Sequence, residues 1–196
     1  MTTKEILIQL EEEYNCITLY RNSDTKNLFK GIGRIPGSFD KEVLEFLKFN
    51  NGASIMDYCF LGIKNNKLGV NLDEFVLELW GTHDFLAGKI IPFMINSSGE
   101  TFGFLLESEG EKNPIVFHSN EFNEEKVMVI SSSFNNFMST FTEDVESTLV
   151  NSKDDIFVQI EIEKWPYKLD HWLSKDENLE EILKVLKVDK NGFLNI

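Results

Sequence analysis

The sequence predicts an α+β fold in which helices pack against an antiparallel sheet. Two observations lead to this prediction. Four short apolar runs between residues 90 and 130 are separated by turn-forming residues, which is typical of paired hairpin strands. A helix with phenylalanines along one face follows them, and such a face needs an apolar layer to cover it. We assign residues 1–150 to this domain and residues 151–196 to a C-terminal strand and helix extension packed on the same domain.

The four predicted strands of the central block cover residues 90–95, 101–106, 114–118 and 127–130. Asn and Ser residues at 96–98, followed by Gly99, supply a turn between the first two strands. We therefore expect those two strands to pair as a hairpin. Pro114 opens the third run, and proline is tolerated at the first position of a strand.

The helix after the fourth strand is marked at its start and along one face. Ser133 is a suitable N-cap, because its hydroxyl can accept a hydrogen bond from a free amide of the first turn. Phe134, Phe137, Met138 and Phe141 follow at helical spacing and form one apolar stripe. The predicted helix ends at Phe141, and residues 143–155 after this block are polar.

Residues before the central block predict three helices and two strands. Thr2 and Glu5 have the spacing of a capping box at the start of the first helix. Asn71 can cap the third helix, and Gly52 and Gly81 are expected to end the second and third helices. The predicted strands cover residues 16–20 and 55–63.

The extension contains one predicted strand and one predicted helix. Residues 157–163 alternate apolar and polar side chains, which is typical of a half-buried strand. A later helical face is formed by Leu179, Ile182, Leu183 and Leu186. Asn191 and Gly192 indicate a turn near the end of the chain.

The chain of 196 residues carries 19 basic and 33 acidic side chains, a formal net charge of −14. Residues 90–196 hold 9 basic and 20 acidic residues, so their net charge of −11 dominates. This balance disfavours nucleic-acid binding, which needs clustered Lys and Arg, and favours a basic protein partner. The alternative is that the acidity serves solubility alone.

Two cysteines, Cys16 and Cys59, lie far apart and form no metal-binding motif, so we expect two buried, reduced thiols. The N-terminus does not resemble a signal peptide, and no apolar run is long enough to span a membrane. We therefore expect a soluble cytoplasmic protein.

Catalytic signatures are absent from the sequence. The glycines at 31, 33 and 37 do not have the spacing of a phosphate-binding loop, and we interpret them as a turn. His83, His118 and His171 form no pair with metal-ligand spacing, and each is expected to have a structural or surface role. No cofactor or metal is expected. A third hypothesis, an enzyme that uses His83 or His118, would require a cleft and a strongly shifted pKa.

Acidic residues cluster in the segments on either side of the third predicted strand of the central block. If both segments lie at the same end of the sheet, they form one acidic patch; the alternative is a solvated rim. The candidate partner-binding residues are Glu107, Glu109, Glu111, Glu121, Glu124 and Glu125.

Several of these motifs, taken in order, resemble the SUKH superfamily. The matching stretches are Ile35-Pro36, Phe46-Leu47, Asn51-Gly52, Ile91-Pro92-Phe93 with Gly99, the strand that opens at Pro114, and Ser132 to Phe137. The resemblance covers about residues 35–141. It departs at Ser97-Ser98, where an aspartate is usual beside the turn glycine, and it ends before the extension.

The resemblance implies a twisted antiparallel sheet with helices packed mainly on one side. Bacterial members of the superfamily are typically immunity proteins that bind and neutralise toxins, often nucleases or deaminases, delivered by neighbouring cells. Eukaryotic members include a yeast regulator of cell-wall glucan synthesis. The leading hypothesis is therefore a non-enzymatic immunity protein with a toxin as its partner, and the alternative is an intracellular regulator or scaffold.

Overall fold

The computed structural model describes residues 2–21, 41–63, 71–106, 113–122, 126–151 and 168–196. These residues form six α-helices, one short 3-10 helix and eight strands. In chain order they are α1 Thr3–Glu13, β1 Ile17–Arg21, α2 Lys41–Phe49, β2 Asn50–Ile55, β3 Tyr58–Phe60, α3 Leu72–Thr82, the 3-10 helix Asp84–Leu86, β4 Ile90–Asn96, β5 Thr101–Leu105, β6 Ile115–His118, β7 Lys126–Ser131, α4 Phe134–Asn151, α5 Leu169–Lys175, α6 Leu179–Leu186 and β8 Phe193–Asn195.

All eight strands form one antiparallel sheet, and their order across the sheet is the same as their order along the chain. The four strands of the central block lie where the sequence predicts them, and β4 and β5 pair as the expected hairpin. Gly99 occupies the turn between them with φ of 79°. The predicted α+β class, a twisted antiparallel sheet with helices mainly on one side, is confirmed.

The phenylalanine stripe of α4 packs on this sheet as predicted. Phe134, Phe137, Met138 and Phe141 are each at most 2% exposed. The Phe134 ring lies 5.4 Å from that of Phe93 on β4, which joins the helix to the middle of the sheet. The Ser133 hydroxyl accepts a hydrogen bond from the Asn136 amide at 3.3 Å, so the predicted N-cap is also confirmed.

Helix α4 continues ten residues beyond the predicted stripe, to Asn151. Val145 and Leu149 extend the apolar face at the i+4 and i+8 positions from Phe141, and both are buried. The hydroxyls of Thr142 and Thr148 donate hydrogen bonds to backbone carbonyls of the preceding turn. The predicted helix, which ended at Phe141, was too short, because a sparse stripe of two apolar residues is enough to hold about three further turns.

The region from residue 41 to 63 departs from the prediction in two ways. Gly52 does not end helix α2; it lies inside β2 with φ of 96°, because the strand begins directly after the helix. The single strand predicted over residues 55–63 is two strands, β2 and β3, joined by a tight turn at Met56 and Asp57. Met56 takes φ of 56° there, and a Met-Asp pair gives no sequence signal for such a turn.

The end of α3 and the 3-10 helix meet the face of the sheet opposite α4. Phe117 on β6 contacts Phe102 in the layer under α4, at 5.0 Å between ring centroids. The next residue, His118, must point to the other face, since side chains alternate along a strand. The rings of His83 and Phe85 meet it there at 5.3 and 5.5 Å. Gly81 does not end α3, which continues to Thr82.

The first helix begins as predicted: the Thr2 hydroxyl and the Glu5 carboxylate each bond the other residue's backbone amide, which completes the capping box. At the other end of the chain, α5 and β8 were not predicted. Strand β8 follows the predicted turn at Gly192 and pairs with β7 at the edge of the sheet. The predicted strand at 157–163 and the glycines at 31, 33 and 37 lie outside the described residues.

Candidate partner-binding site

Of the six acidic residues predicted to bind a partner, Glu121 is the one within the described part of the chain. Its side chain is exposed, and its amide donates a hydrogen bond to the Ser119 hydroxyl at 3.2 Å. The other five lie outside the described residues: Glu107, Glu109, Glu111, Glu124 and Glu125. The site as a whole therefore stays a prediction.

The described residues that border the two acidic segments lie at opposite ends of β6. In an antiparallel meander, successive connections leave the sheet at alternate ends. The segment with Glu107, Glu109 and Glu111 is bordered by Leu106 and Asn113. Both lie at the end of the sheet where β6 begins. Phe122 and Lys126, which border the other segment, lie at the far end of β6. The two groups are therefore best tested separately.

Two further acidic residues share the end of the sheet where Glu121 lies. Asp57, in the β2–β3 turn, is exposed, and its Oδ2 accepts a hydrogen bond from the Ser97 hydroxyl at 2.7 Å. Glu100, in the β4–β5 turn, accepts one from the Asn96 side-chain amide at 2.6 Å. We call Asp57, Glu100 and Glu121 the acidic end. Their association depends on strand pairing, so no local motif could have indicated it.

The two histidines that do not form a sequence motif, His83 and His118, come together in the fold. His118 is 7% exposed, and burial lowers its pKa, with the neighbouring His83 adding to this effect. The Lys126 backbone lies close enough to oppose the shift, but neither ring nitrogen makes a hydrogen bond of ordinary geometry to the described residues. Phe85 and Phe122 also contact the His118 ring. This packing is that of a buried aromatic cluster.

His171 pairs with a residue distant in sequence and not with its neighbour Asp170. Its Nε2 lies 2.7 Å from the Asp144 Oδ2, and both side chains are partly buried. The pair joins α5 to α4, and Lys175 and Glu143 make a second, more exposed link beside it at 2.9 Å. The arrangement supports a structural role for His171.

The cysteines are both free, but Cys16 is exposed and Cys59 is half-buried, so the prediction that both are buried was wrong. Cys16 lies just before β1. Its side chain points away from the buried side of the strand, to which Ile17 points. Desolvation raises the pKa of both thiols, which lowers their thiolate fraction and hence their nucleophilicity at neutral pH.

No group of three or more metal-ligating side chains is assembled within the described ranges.

A cavity of about 10 Å³ lies between α2 and the sheet, among the side chains of Val43, Leu47, Phe60 and Phe93. This volume is enough for about one water molecule, and the apolar lining offers nothing to orient a substrate. None of the described helices combines the length and the hydropathy needed to cross a membrane.

The comparison with protein families gives one result. A family model described as SMI1 / KNR4 family (SUKH-1) matches residues 2–140. The match begins at the N-cap of α1 and ends within α4, so it contains β1 to β7 and the acidic end but not α5, α6 or β8. No curated protein sequence gives a significant match.

Proposed function

Because this chain belongs to the SMI1/KNR4 (SUKH-1) family, we propose that it is a non-enzymatic bacterial immunity protein that binds a toxin and occludes its active site. The observation that carries the proposal is the family match over residues 2–140, since bacterial members of the superfamily typically have this role. Its place of action would be the cytoplasm, where such a toxin meets its substrate.

The charge of the chain supports a particular class of toxin. A nuclease or a nucleic-acid deaminase needs a basic cleft for its substrate. The net charge of −14, together with the acidic end, is complementary to such a cleft. Complementary charge speeds association and favours one partner over others. We therefore propose a basic toxin whose substrate-binding cleft is covered by acidic residues of this protein.

The test is to look for a toxin gene directly upstream of this gene and to measure inhibition of its product, in co-expressing cells and with the purified pair. Two variants separate the two groups of predicted residues. The first carries Glu107, Glu109 and Glu111 changed to Lys; the second carries Glu121, Glu124 and Glu125 changed to Lys. We expect the second to lose inhibition more strongly, because Asp57 and Glu100 add negative charge at the same end of the sheet. Binding by wild type should also weaken as salt rises.

A matched control reverses three exposed acidic residues on helices or at a helix start, Glu12, Glu78 and Glu177. It changes the net charge by the same amount and should bind nearly as well as wild type. If both triple variants inhibit as well as this control, the acidic residues do not form the site. If the wild-type protein does not bind the neighbouring toxin at all, the immunity proposal itself fails.

A second candidate function, an intracellular regulator or scaffold without a toxin partner, is favoured by the eukaryotic branch of the family. Gene neighbourhood separates the two proposals. A toxin gene directly upstream supports immunity, whereas its absence, together with capture of an endogenous protein by the purified chain, supports regulation. In either case the chain acts by binding another protein.

A further inference from the structure

The C-terminal segment 168–196 lies outside the family match and covers part of the family domain. It contacts β7 through α5, α6 and β8, and it contacts α4 through α5. Among its apolar side chains, only Trp172 and Leu179 are fully buried; the others are half-buried or exposed. Its two helices are seven and eight residues long, and its strand has three residues. Such a segment has few buried contacts of its own.

The main polar anchor of this segment is the carboxylate of Asp176, which is 2% exposed. Its Oδ2 accepts hydrogen bonds from the Ser131 hydroxyl at 2.8 Å and from the Ser132 amide at 2.7 Å. Its Oδ1 accepts from the Ser132 hydroxyl and from the Asn136 side-chain amide, both at 2.9 Å. The Asn178 amide completes the set at 3.1 Å.

Four of these five hydrogen bonds come from the family domain, and Ser132 and Asn136 are part of the motif on which the resemblance rests. Ser131 ends β7, Ser132 precedes α4, and Asn136 lies in its first turn. Here that motif holds a carboxylate supplied by the extension. A buried carboxylate is stable only when it is fully hydrogen-bonded, so the two parts of the site depend on each other.

Two contacts beside Asp176 hold the segment in the same position. The Trp172 indole stacks on the Phe137 ring at 5.7 Å and 16°. Strand β8 pairs with β7, and the Val129 amide donates to the Gly192 carbonyl at 3.0 Å. When these contacts are present, β8 is the edge of the sheet; without them, β7 would be the edge.

We propose that residues 168–196 form a strap, latched by Asp176 in the Ser131, Ser132 and Asn136 site, that opens as a unit while β1 to β7 stay paired. Segments with few buried contacts open at lower free energy than the core to which they are attached. The Asp176 carboxylate is the main polar contact that holds the strap on the family domain. Asp176 is a positioning residue: it sets whether the β7 edge is covered.

Hydrogen exchange on the full chain tests the proposal. In the wild type, amides of 168–196 should exchange faster than those in the β4–β5 pair, because opening of the strap leaves that pair intact. In Asp176→Ala, the strap amides should lose on the order of 100-fold in protection, since removing one partner of a buried charged network is strongly destabilising. Protection in β4 and β5 should stay unchanged. Ser132→Ala should give a smaller loss with the same distribution.

Asp170→Ala is the matched control, since Asp170 is an exposed acid on the same segment. It should leave the exchange pattern as in wild type. Equal loss of protection across the sheet in Asp176→Ala would overturn the proposal, because the segment would then belong to one cooperative unit. Unchanged protection at 168–196 would show that Asp176 is not the latch. If Asp176→Ala does not fold, the wild-type pattern decides: strap amides as protected as those of β4 and β5 would reject local opening.

Discussion

The packing of α4 on the sheet makes Phe137 the most informative core position to change. Its side chain is 0% exposed, and its ring centroid lies 5.3 Å from that of Phe93, 5.8 Å from Phe102 and 5.7 Å from Trp172. These neighbours come from β4, β5 and α5, so no single movement can close the space that Phe137→Ala would leave. Truncation of a buried phenylalanine costs about 3–5 kcal/mol, and the rigid surroundings place this one near 4 kcal/mol.

Chemical denaturation followed by tryptophan fluorescence measures that loss, with a thermal melt as a second readout. For a chain of this length, about 3–5 kcal/mol corresponds to a fall of roughly 6–20 °C in the melting temperature. Leu77→Ala is the control, because Leu77 is 62% exposed on α3 and should change stability by less than about 0.5 kcal/mol. If Phe137→Ala is within 1 kcal/mol of Leu77→Ala, the stripe does not hold the helix on the sheet and this account of the core is wrong.

Three further predictions test other parts of the fold. Gly103→Ala should destabilise by about 1–3 kcal/mol, because a Cβ there would lie 2.9 Å from the Ile91 carbonyl oxygen; Gly81→Ala, with nothing within 4 Å, should stabilise α3 by up to about 1 kcal/mol. Chemical denaturation measures both effects, and changes of the same sign in the unfolding free energies of the two variants would contradict the prediction. Burial lowers the pKa of His118 below 6.5, so the folded state binds fewer protons there than the unfolded state. The contribution of His118 to stability should therefore be present above pH 6.5 and be lost as the pH drops below it. In melts from pH 7.5 to 5, His118→Phe should reduce the dependence of the melting temperature on pH. An unchanged dependence would rule out His118 as its source. Thr2→Ala should cost about 1 kcal/mol or less by removing half of the capping box, and a melt equal to that of wild type would show that α1 does not need its cap.

Elements with a local signal were predictable from the sequence. The stripe of Phe134, Phe137 and Phe141 predicted both a helix and the layer beneath it, because three aromatic rings on one face have few alternatives to burial. The capping box at Thr2 and the turn at Gly99 could also be predicted from the sequence, because each depends on residues within four positions of one another.

Features that depend on long-range pairing could not be read in the same way. Asp176 sits in a polar run and resembles an ordinary surface acid, and its donors at Ser131 and Ser132 are more than forty residues away. His83 and His118 meet because the end of α3 packs against the face of the sheet to which the His118 side chain points. The acidic end has the same origin, since Asp57 and Glu100 join Glu121 only through strand register.

The order of the sheet has a consequence for synthesis. Every strand from β1 to β7 pairs with strands adjacent to it along the chain, so each one can add to the growing edge soon after it leaves the ribosome. Strand β8 is different, because β7 leaves the ribosome well before it and the two strands can pair only after α4, α5 and α6 have been made.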